Sequence, residues 1–176
     1  SLGTNTVGSH SVAVGRNALF TQNPSTATDM YNTAVGSEAG KAVTTGLYNT
    51  LVGGLAGDAL TDADFNVVYG ANALSADTLG SRSTAIGYAT LQAQNFTTAT
   101  NSYNVAVGHG AGNAVSTGIE NTLIGGRAGY ALTAAGNNTA LGAYALTTDT
   151  LGSKTTAIGN GALFSQNFTT ATDSFN

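Results

Sequence analysis

The sequence predicts an all-β fold, a parallel β-roll or β-solenoid of about ten short coils, from three observations. An apolar pentapeptide ending in Gly recurs nine times, starting at Ser11, Asn32, Asn49, Asn66, Ser83, Asn104, Asn121, Asn138 and Thr155. The spacings are 21, 17, 17 and 17 residues, and then the same four again. Residues 33–104 and 105–176 are identical at 44 of 72 positions. A short fixed period indicates stacked coils, because one unit buries its core only against its neighbours.

We number each coil from the first residue of its pentapeptide, so that a standard coil has positions 1 to 17. Positions 2 and 4 are Thr or Val and then an aliphatic residue or Tyr, a period of two that indicates a β-strand. We expect these side chains to point into the coil. Position 3 is also apolar in every copy, so we expect the opposite face to be covered by self-association.

Position 5 is Gly in all nine copies, which indicates a turn that needs positive φ or close backbone approach. The nine structural glycines are Gly15, Gly36, Gly53, Gly70, Gly87, Gly108, Gly125, Gly142 and Gly159. A second apolar pair, Ala42-Val43 in one copy, predicts a second short strand. Asn occupies position 1 in six coils, and we favour a structural Asn ladder there over a ligand-binding one.

Residues 1–176 form a single repetitive segment, and we expect it to be a window of a longer fibre protein, because the chain starts and stops within the 72-residue module. Net charge is −4, with five Lys and Arg scattered among nine Asp and Glu. We therefore expect no nucleic-acid binding. No apolar run is long enough to predict membrane insertion, and the chain has no Cys for disulfides or thiolate metal sites.

We expect no enzyme activity, no cofactor and no metal site. His10 and His109 occupy non-equivalent positions of the repeat. A glycosidase would need paired carboxylates, and Asp58, Asp62, Asp64 and Asp77 are the candidates by proximity. Of these only Asp77 recurs in the second copy, as Asp149.

The segments SVAVG, STAIG and TTAIG, followed after two intervening residues by Ala18, Thr90 and Ala162, resemble the head repeats of trimeric autotransporter adhesins of the YadA type. The 17-residue unit NTAVGSEAGKAVTTGLY is also similar to repeat arrays of phage-type tail fibres. The resemblance implies a left-handed parallel roll and a homotrimer. It also implies an extracellular location, on a cell surface or a virion appendage, and a role as spacer or adhesion surface.

The 21-residue coils carry four extra residues and should form loops, which in solenoids often lie on the binding face. A host-surface glycan is the candidate ligand. The candidate contact residues are Phe96, Thr97, Thr98, Thr100, Phe168, Thr169, Thr170 and Thr172. The alternative interpretation, which we favour for the two phenylalanines, is that they cap the coil edge. Sequons for N-glycosylation begin at Asn95, Asn137 and Asn167.

The sequence thus favours a structural extracellular fibre segment, a shaft or adhesin surface whose loops attach to a surface or glycan. One alternative is a solenoid that binds ice or a regular polysaccharide. The alternation of Thr and Val at position 2 argues against it if that column faces inward. A less favoured alternative is a depolymerase resembling a tailspike.

Overall fold

The computed structural model describes all 176 residues, and its regular elements are fifteen short strands. No helix is long and apolar enough to cross a membrane. The strands are β1 (Gly8–Ser9), β2 (Val12–Val14), β3 (Thr28–Asp29), β4 (Thr33–Val35), β5 (Thr50–Val52), β6 (Val67–Tyr69), β7 (Gly80–Ser81), β8 (Thr84–Ile86), β9 (Thr100–Asn101), β10 (Val105–Val107), β11 (Thr122–Ile124), β12 (Thr139–Leu141), β13 (Gly152–Ser153), β14 (Thr156–Ile158) and β15 (Thr172–Asp173).

Nine of these strands, one from each pentapeptide, form a single parallel sheet in the order β2-β4-β5-β6-β8-β10-β11-β12-β14. Each strand pairs with the equivalent strand of the next coil, so that Thr33 lies opposite Thr50, and Thr50 opposite Val67. At about 4.8 Å between strands the sheet is roughly 40 Å long. The prediction of a β-solenoid with a 17-residue coil is confirmed.

The prediction of which sheet face lies inside was wrong. Position 3 is buried in the interior, as Ala34, Leu51 and Val68 show, whereas positions 2 and 4 point outward. Tyr69, at position 4, is 60% exposed. The buried residues of the turns, such as Leu19 and Ala39, form one core with the position 3 column, and positions 2 and 4 therefore lie outside.

Side-chain volumes compensate each other between coils inside the roll. Where position 3 is Leu51, position 9 of the same coil and of the preceding one is Gly. A Cβ on Gly40 would lie 2.6 Å from Leu51 Cδ1, and one on Gly57 would lie 3.0 Å from Leu51 Cδ2. The second copy repeats this arrangement around Leu123. Where position 3 is Ala85, position 9 is the buried Leu91. The core, which combines Leu and Val with many Ala residues, is therefore close-packed.

The second strand expected in each coil does not form. Ala42-Val43 and the equivalent pairs lie in or directly after a run of turns, with Val43 buried in the core. Extra strands occur only as the two-residue pairs β1–β3, β7–β9 and β13–β15, each of which joins the end of a 21-residue coil to the end of the preceding coil. Ala at this position has low β propensity, and the chain instead makes tight turns with left-handed residues, including Gly40.

The position 5 glycines adopt positive φ, from 118° at Gly159 to 143° at Gly70, as expected. They also pack backbone against backbone. A Cβ on Gly36 would lie 2.3 Å from the carbonyl oxygen of Gly53 in the next coil, and the same conflict recurs along the column. Only Gly therefore fits where the coil leaves the sheet.

The position 1 asparagines form a buried structural ladder, as we favoured. The Asn49 backbone N–H donates to Asn32 Oδ1 at 2.8 Å, and Asn49 Nδ2 donates to the Ala63 carbonyl at 2.7 Å. Asn66 continues the ladder, because its N–H donates to Asn49 Oδ1 at 3.0 Å. The ladder satisfies backbone groups that have no partner in the sheet. Its members are Asn32, Asn49, Asn66, Asn104, Asn121 and Asn138.

Two adjacent glycines provide a test of the stacking constraint. We expect Gly53→Ala to destabilise the protein by about 3 kcal/mol or more, because strain at φ 137° adds to a clash with the backbone of Gly70. Gly54→Ala should change the free energy of unfolding by less than about 0.5 kcal/mol, since a Cβ there meets nothing within 4 Å. Chemical denaturation of both variants measures the difference; equal effects would contradict the close approach.

Candidate functional surfaces

The outer face of the nine-stranded sheet is an apolar surface, which we call the sheet face and define as positions 2 and 4 of every coil. Position 4 is aliphatic or Tyr throughout, and position 2 is Thr or Val. The large exposed side chains on it are Val12, Val14, Val35, Val67, Tyr69, Ile86, Ile124, Leu141 and Ile158. A continuous apolar stripe of this length is unusual on the surface of a monomeric soluble protein. The apolar face predicted to need a cover thus exists, but it consists of positions 2 and 4.

The loops of the 21-residue coils project where the sequence places them. Thr97 and Thr98 are exposed, whereas Thr100 is half-buried in β9 and donates its hydroxyl to the Thr98 carbonyl at 3.0 Å. The second loop is similar, with Thr169 and Thr170 exposed and Thr172 half-buried.

Phe96 is only 6% exposed, so it is not available to stack on a sugar. Its ring packs beside Gly80, and Phe168 takes the equivalent place beside Gly152 and is half-buried. Both rings cap the coil edge, in agreement with the interpretation that we favoured. Glycan contact by the loop threonines stays a prediction.

The three sequon asparagines are exposed. Asn95 Oδ1 accepts a hydrogen bond from the Thr78 hydroxyl at 3.1 Å, and Asn167 Oδ1 accepts one from Thr150 at 3.1 Å. Asn137 lies at a corner of the coil with φ 61°. Glycosylation at these three sites stays a prediction.

A buried carboxylate anchors each of the two full loops. Asp77 Oδ1 accepts the N–H groups of Gly80 at 3.0 Å and Phe96 at 3.1 Å, and its Oδ2 accepts Gln94 Nε2 at 2.6 Å. Asp149 repeats the arrangement in the second copy. Three donors compensate for burying the charge. Because Asp77 and Asp149 are fully buried, neither can serve as the recurring carboxylate of a glycosidase.

The first coil departs from this arrangement at two linked positions. Asn5 takes the place of Asp77, and Pro24, which has no N–H, takes the place of Phe96. Gln22 Nε2, the equivalent of the Gln94 donor, is buried without a partner. An amide thus replaces the carboxylate in the coil where one backbone donor is missing.

The last residue before each pentapeptide, which is position 17 of a standard coil, forms an exposed ladder of rings that the sequence analysis did not identify; we call it the position 17 column. His10, Tyr31, Tyr48 and Phe65 stack in consecutive coils, with ring centroids 5.0, 5.3 and 5.1 Å apart. The guanidinium of Arg82 continues the stack 4.9 Å from the Phe65 ring centroid. Because each ring face covers the next, only ring edges reach solvent, and the ladder is not a platform for sugar stacking. The aromatic residues before Asn32, Asn49 and Asn66 were the sequence signal for it.

Three residues of the position 17 column also hold the loops to the roll, each through a partner 19 residues later. His10 Nδ1 contacts Asp29 Oδ1 at 2.9 Å, and Arg82 Nε donates to Asn101 Oδ1 at 3.1 Å. Lys154 Nζ donates to Asp173 Oδ2 at 2.5 Å.

Hydrogen bonds from Ser9 and His10 lower the pKa of Asp29. Its carboxylate therefore stays ionised, and the contact to His10 persists, to a lower pH than an isolated Asp would allow.

Arg16, Glu38, Lys41 and Asp58 form a charged cluster in the first three coils. Arg16 and Lys41 both donate to Glu38, with Lys41 Nζ 3.1 Å from Oε2. The hydrogen bond from Lys41 is the main cause of the lowered pKa of Glu38. Burial raises the pKa of the neighbouring Asp58, and one of its carboxylate oxygens has no hydrogen-bond partner.

The two other carboxylates considered for a glycosidase each accept a hydrogen bond from the preceding coil. Asp62 accepts one from the Thr45 hydroxyl at 2.5 Å, and Asp64 accepts one from the Leu47 N–H at 2.7 Å. The structure contains no group of three or more His, Cys, Asp or Glu that could hold a metal ion.

The loop anchor can be tested with two isosteric substitutions. Asp77→Asn places an amide N–H₂ where Asp77 accepts three hydrogen bonds, so at least one buried donor loses its partner. We expect a loss of about 1–3 kcal/mol in the free energy of unfolding. The control, Asp62→Asn, removes a carboxylate at the surface and should cost less than about 0.5 kcal/mol. Denaturation curves measure both; a neutral Asp77→Asn would show that the buried carboxylate does not stabilise the loop.

Scans against family models, curated proteins and solved structures find no match to this chain. The resemblance of the repeats to adhesin heads and tail fibres therefore stays a prediction. The surfaces that the repeats build, namely the sheet face, the loops and the charged cluster at Arg16, provide the basis for a proposed function.

Proposed function

We propose that this chain is a structural segment of an extracellular fibre, a shaft or adhesin surface that associates with copies of itself through the sheet face. The observation that carries the proposal is the continuous apolar column at position 4, exposed in coil after coil. A second copy offers the same stripe with the same spacing, so that two or more chains side by side can cover it along its whole length.

The number of chains in the proposal, three, comes from the resemblance to trimeric adhesin heads. Three parallel rolls whose sheet faces meet at a common axis would enclose one apolar core between them. The same resemblance places the fibre outside the cell, on a cell surface or virion. In that arrangement the loops would remain free for attachment, because their exposed threonines belong to neither position 2 nor position 4.

A charge placed on the sheet face tests this assembly. By light scattering we expect a particle of three times 17.4 kDa for the wild-type chain. The double variant Tyr69→Lys, Leu141→Lys should fall to the mass of one chain, because two unpaired ammonium groups would be buried in the interface. The control, Thr97→Lys with Thr169→Lys, adds the same charge to the exposed loops and should leave the mass unchanged. A wild-type mass of 17.4 kDa would contradict the proposal.

A second function is favoured by the outward direction of the Thr column. Six of nine position 2 residues are Thr, namely Thr33, Thr50, Thr84, Thr122, Thr139 and Thr156, and they repeat in register along the sheet. Their expected inward direction was the argument against binding to ice or a regular polysaccharide, and that argument no longer holds. A hydroxyl column beside an aliphatic column, with a spacing of about 4.8 Å, is a regular surface that a lattice could match.

Thermal hysteresis separates the two functions. If the sheet face is an interface between chains, we expect no hysteresis from the wild-type protein, because the Thr column is then covered. Hysteresis that disappears in Thr122→Lys and persists in the loop variant Thr97→Lys would instead establish lattice binding. Both substitutions add one lysine, so net charge is matched.

A further inference from the structure

Position 6, directly after the structural Gly, carries side chains of very different size along the roll. Arg16 is followed in the next three coils by Ser37, Gly54 and Ala71, and then by Tyr88. Three successive coils thus lack a bulky side chain between two large ones. The result is an open groove of about 470 Å³, within the size range of small-ligand sites. It is lined by Arg16, Ser37, Glu38, Gly54, Leu55, Ala71 and Asn72.

The equivalent place 72 residues further along the chain has no such groove, although its backbone is equivalent. There Tyr88 corresponds to Arg16, Arg127 to Leu55 and Tyr144 to Asn72. No comparable groove lies elsewhere on the roll. The groove therefore results from the particular side chains around Arg16 and is not a general property of the coil.

The polar groups of the groove comprise both donors and acceptors. Asn72 and Ser37 make no side-chain hydrogen bond within the chain, so their amide and hydroxyl are free for a ligand. Arg16 is 70% exposed at its side chain and has five N–H donors, of which Glu38 occupies only part. Hydroxyl groups, which donate and accept, match this mixture best.

The charges around the groove balance. Arg16 and Lys41 bear two positive charges, and Glu38 and Asp58 bear two negative ones. A ligand with a net charge would be attracted by one of these residues and repelled by a neighbouring residue of the ligand's own sign. The exposed side chain of Leu55 and the methyl of Ala71 add apolar surface, which suits the C–H groups of a sugar ring.

From this lining we propose that the groove at Arg16 binds a neutral saccharide. The assignment builds on the proposed attachment function and gives it a ligand class and a site apart from the loops. A Cβ on Gly54 meets nothing within 4 Å, so the groove is open down to the backbone at its centre. A Cβ on Gly126, the equivalent residue 72 positions later, also meets nothing within 4 Å, so a side chain can be added there without a clash, and neither glycine has a left-handed φ.

These two glycines provide a matched test. In saturation-transfer NMR with a panel of neutral gluco-, galacto- and manno-oligosaccharides and of uronate-containing ones, we expect saturation to pass from the wild-type chain to at least one neutral member. Gly54→Phe fills the groove and should weaken binding about tenfold or more. Gly126→Phe adds the same ring where there is no groove and should leave binding unchanged. Asn72→Ala should weaken binding without filling the groove.

Several results would overturn the assignment. They are no transfer from the wild-type chain to any neutral saccharide, transfer only to the uronate-containing saccharides, or equal loss in both phenylalanine variants. A Gly54→Phe variant that changes the particle mass would show that the groove receives a second copy of the chain. Light scattering on the same samples measures the particle mass, so self-association and saccharide binding are tested separately. A trimer without saccharide binding overturns only the groove, and saccharide binding by a monomer overturns only the assembly.

Discussion

Each coil of this protein must leave the sheet through a space that has no room for a side chain. The Gly at position 5 has a φ that L side chains rarely adopt, and its α-carbon lies against the carbonyl of the equivalent Gly in the next coil. That close approach allows successive backbones to stack at the interstrand distance along the whole chain. The buried Asn at position 1 fixes the backbone at the start of the strand through its hydrogen bonds. The Gly at position 5 does the same at the end of the strand through its turn. The regular roll depends on these two columns, and the other positions vary within the geometry that they impose.

The narrow interior that results explains the unusual composition. Ala fills most of position 3, and where Leu51 or Leu123 enters, glycines above and below provide the space. The β-branched and aliphatic residues at positions 2 and 4 lie outside this core and form the sheet face. A roll with an apolar outer face cannot bury all its apolar surface within one chain, which is the physical argument for association. The same face repeats at the interstrand spacing, which is the kind of regularity that a lattice could match.

In a repeat protein of this kind, the surface chemistry that serves a specific function depends on the residues that differ between the copies. The loops recur every 72 residues and are held by Asp77 or Asp149, but the first loop has Asn5 and Pro24 instead. Small residues at Ser37, Gly54 and Ala71 open a groove in the first copy, whereas Tyr144 and Arg127 occupy the equivalent places in the second. Residues that are identical in both copies mostly maintain the stack. Residues that differ give each part of the rod its own surface chemistry.

The sequence by itself determined the coil length, the parallel register, the glycine and asparagine columns and the positions of the loops, because each follows from the spacing of repeated residues. It could not determine which sheet face is buried. Period-two alternation defines two faces, and here both are apolar, so polarity did not distinguish Ala34 from Val35. The tertiary structure decided it, because the buried residues that follow each strand, such as Leu60 and Leu74, form one core with position 3 and not with positions 2 and 4. The burial of Phe96, the ring stack from His10 to Arg82 and the groove at Arg16 likewise depend on contacts between residues of different coils, which no single unit of the repeat contains.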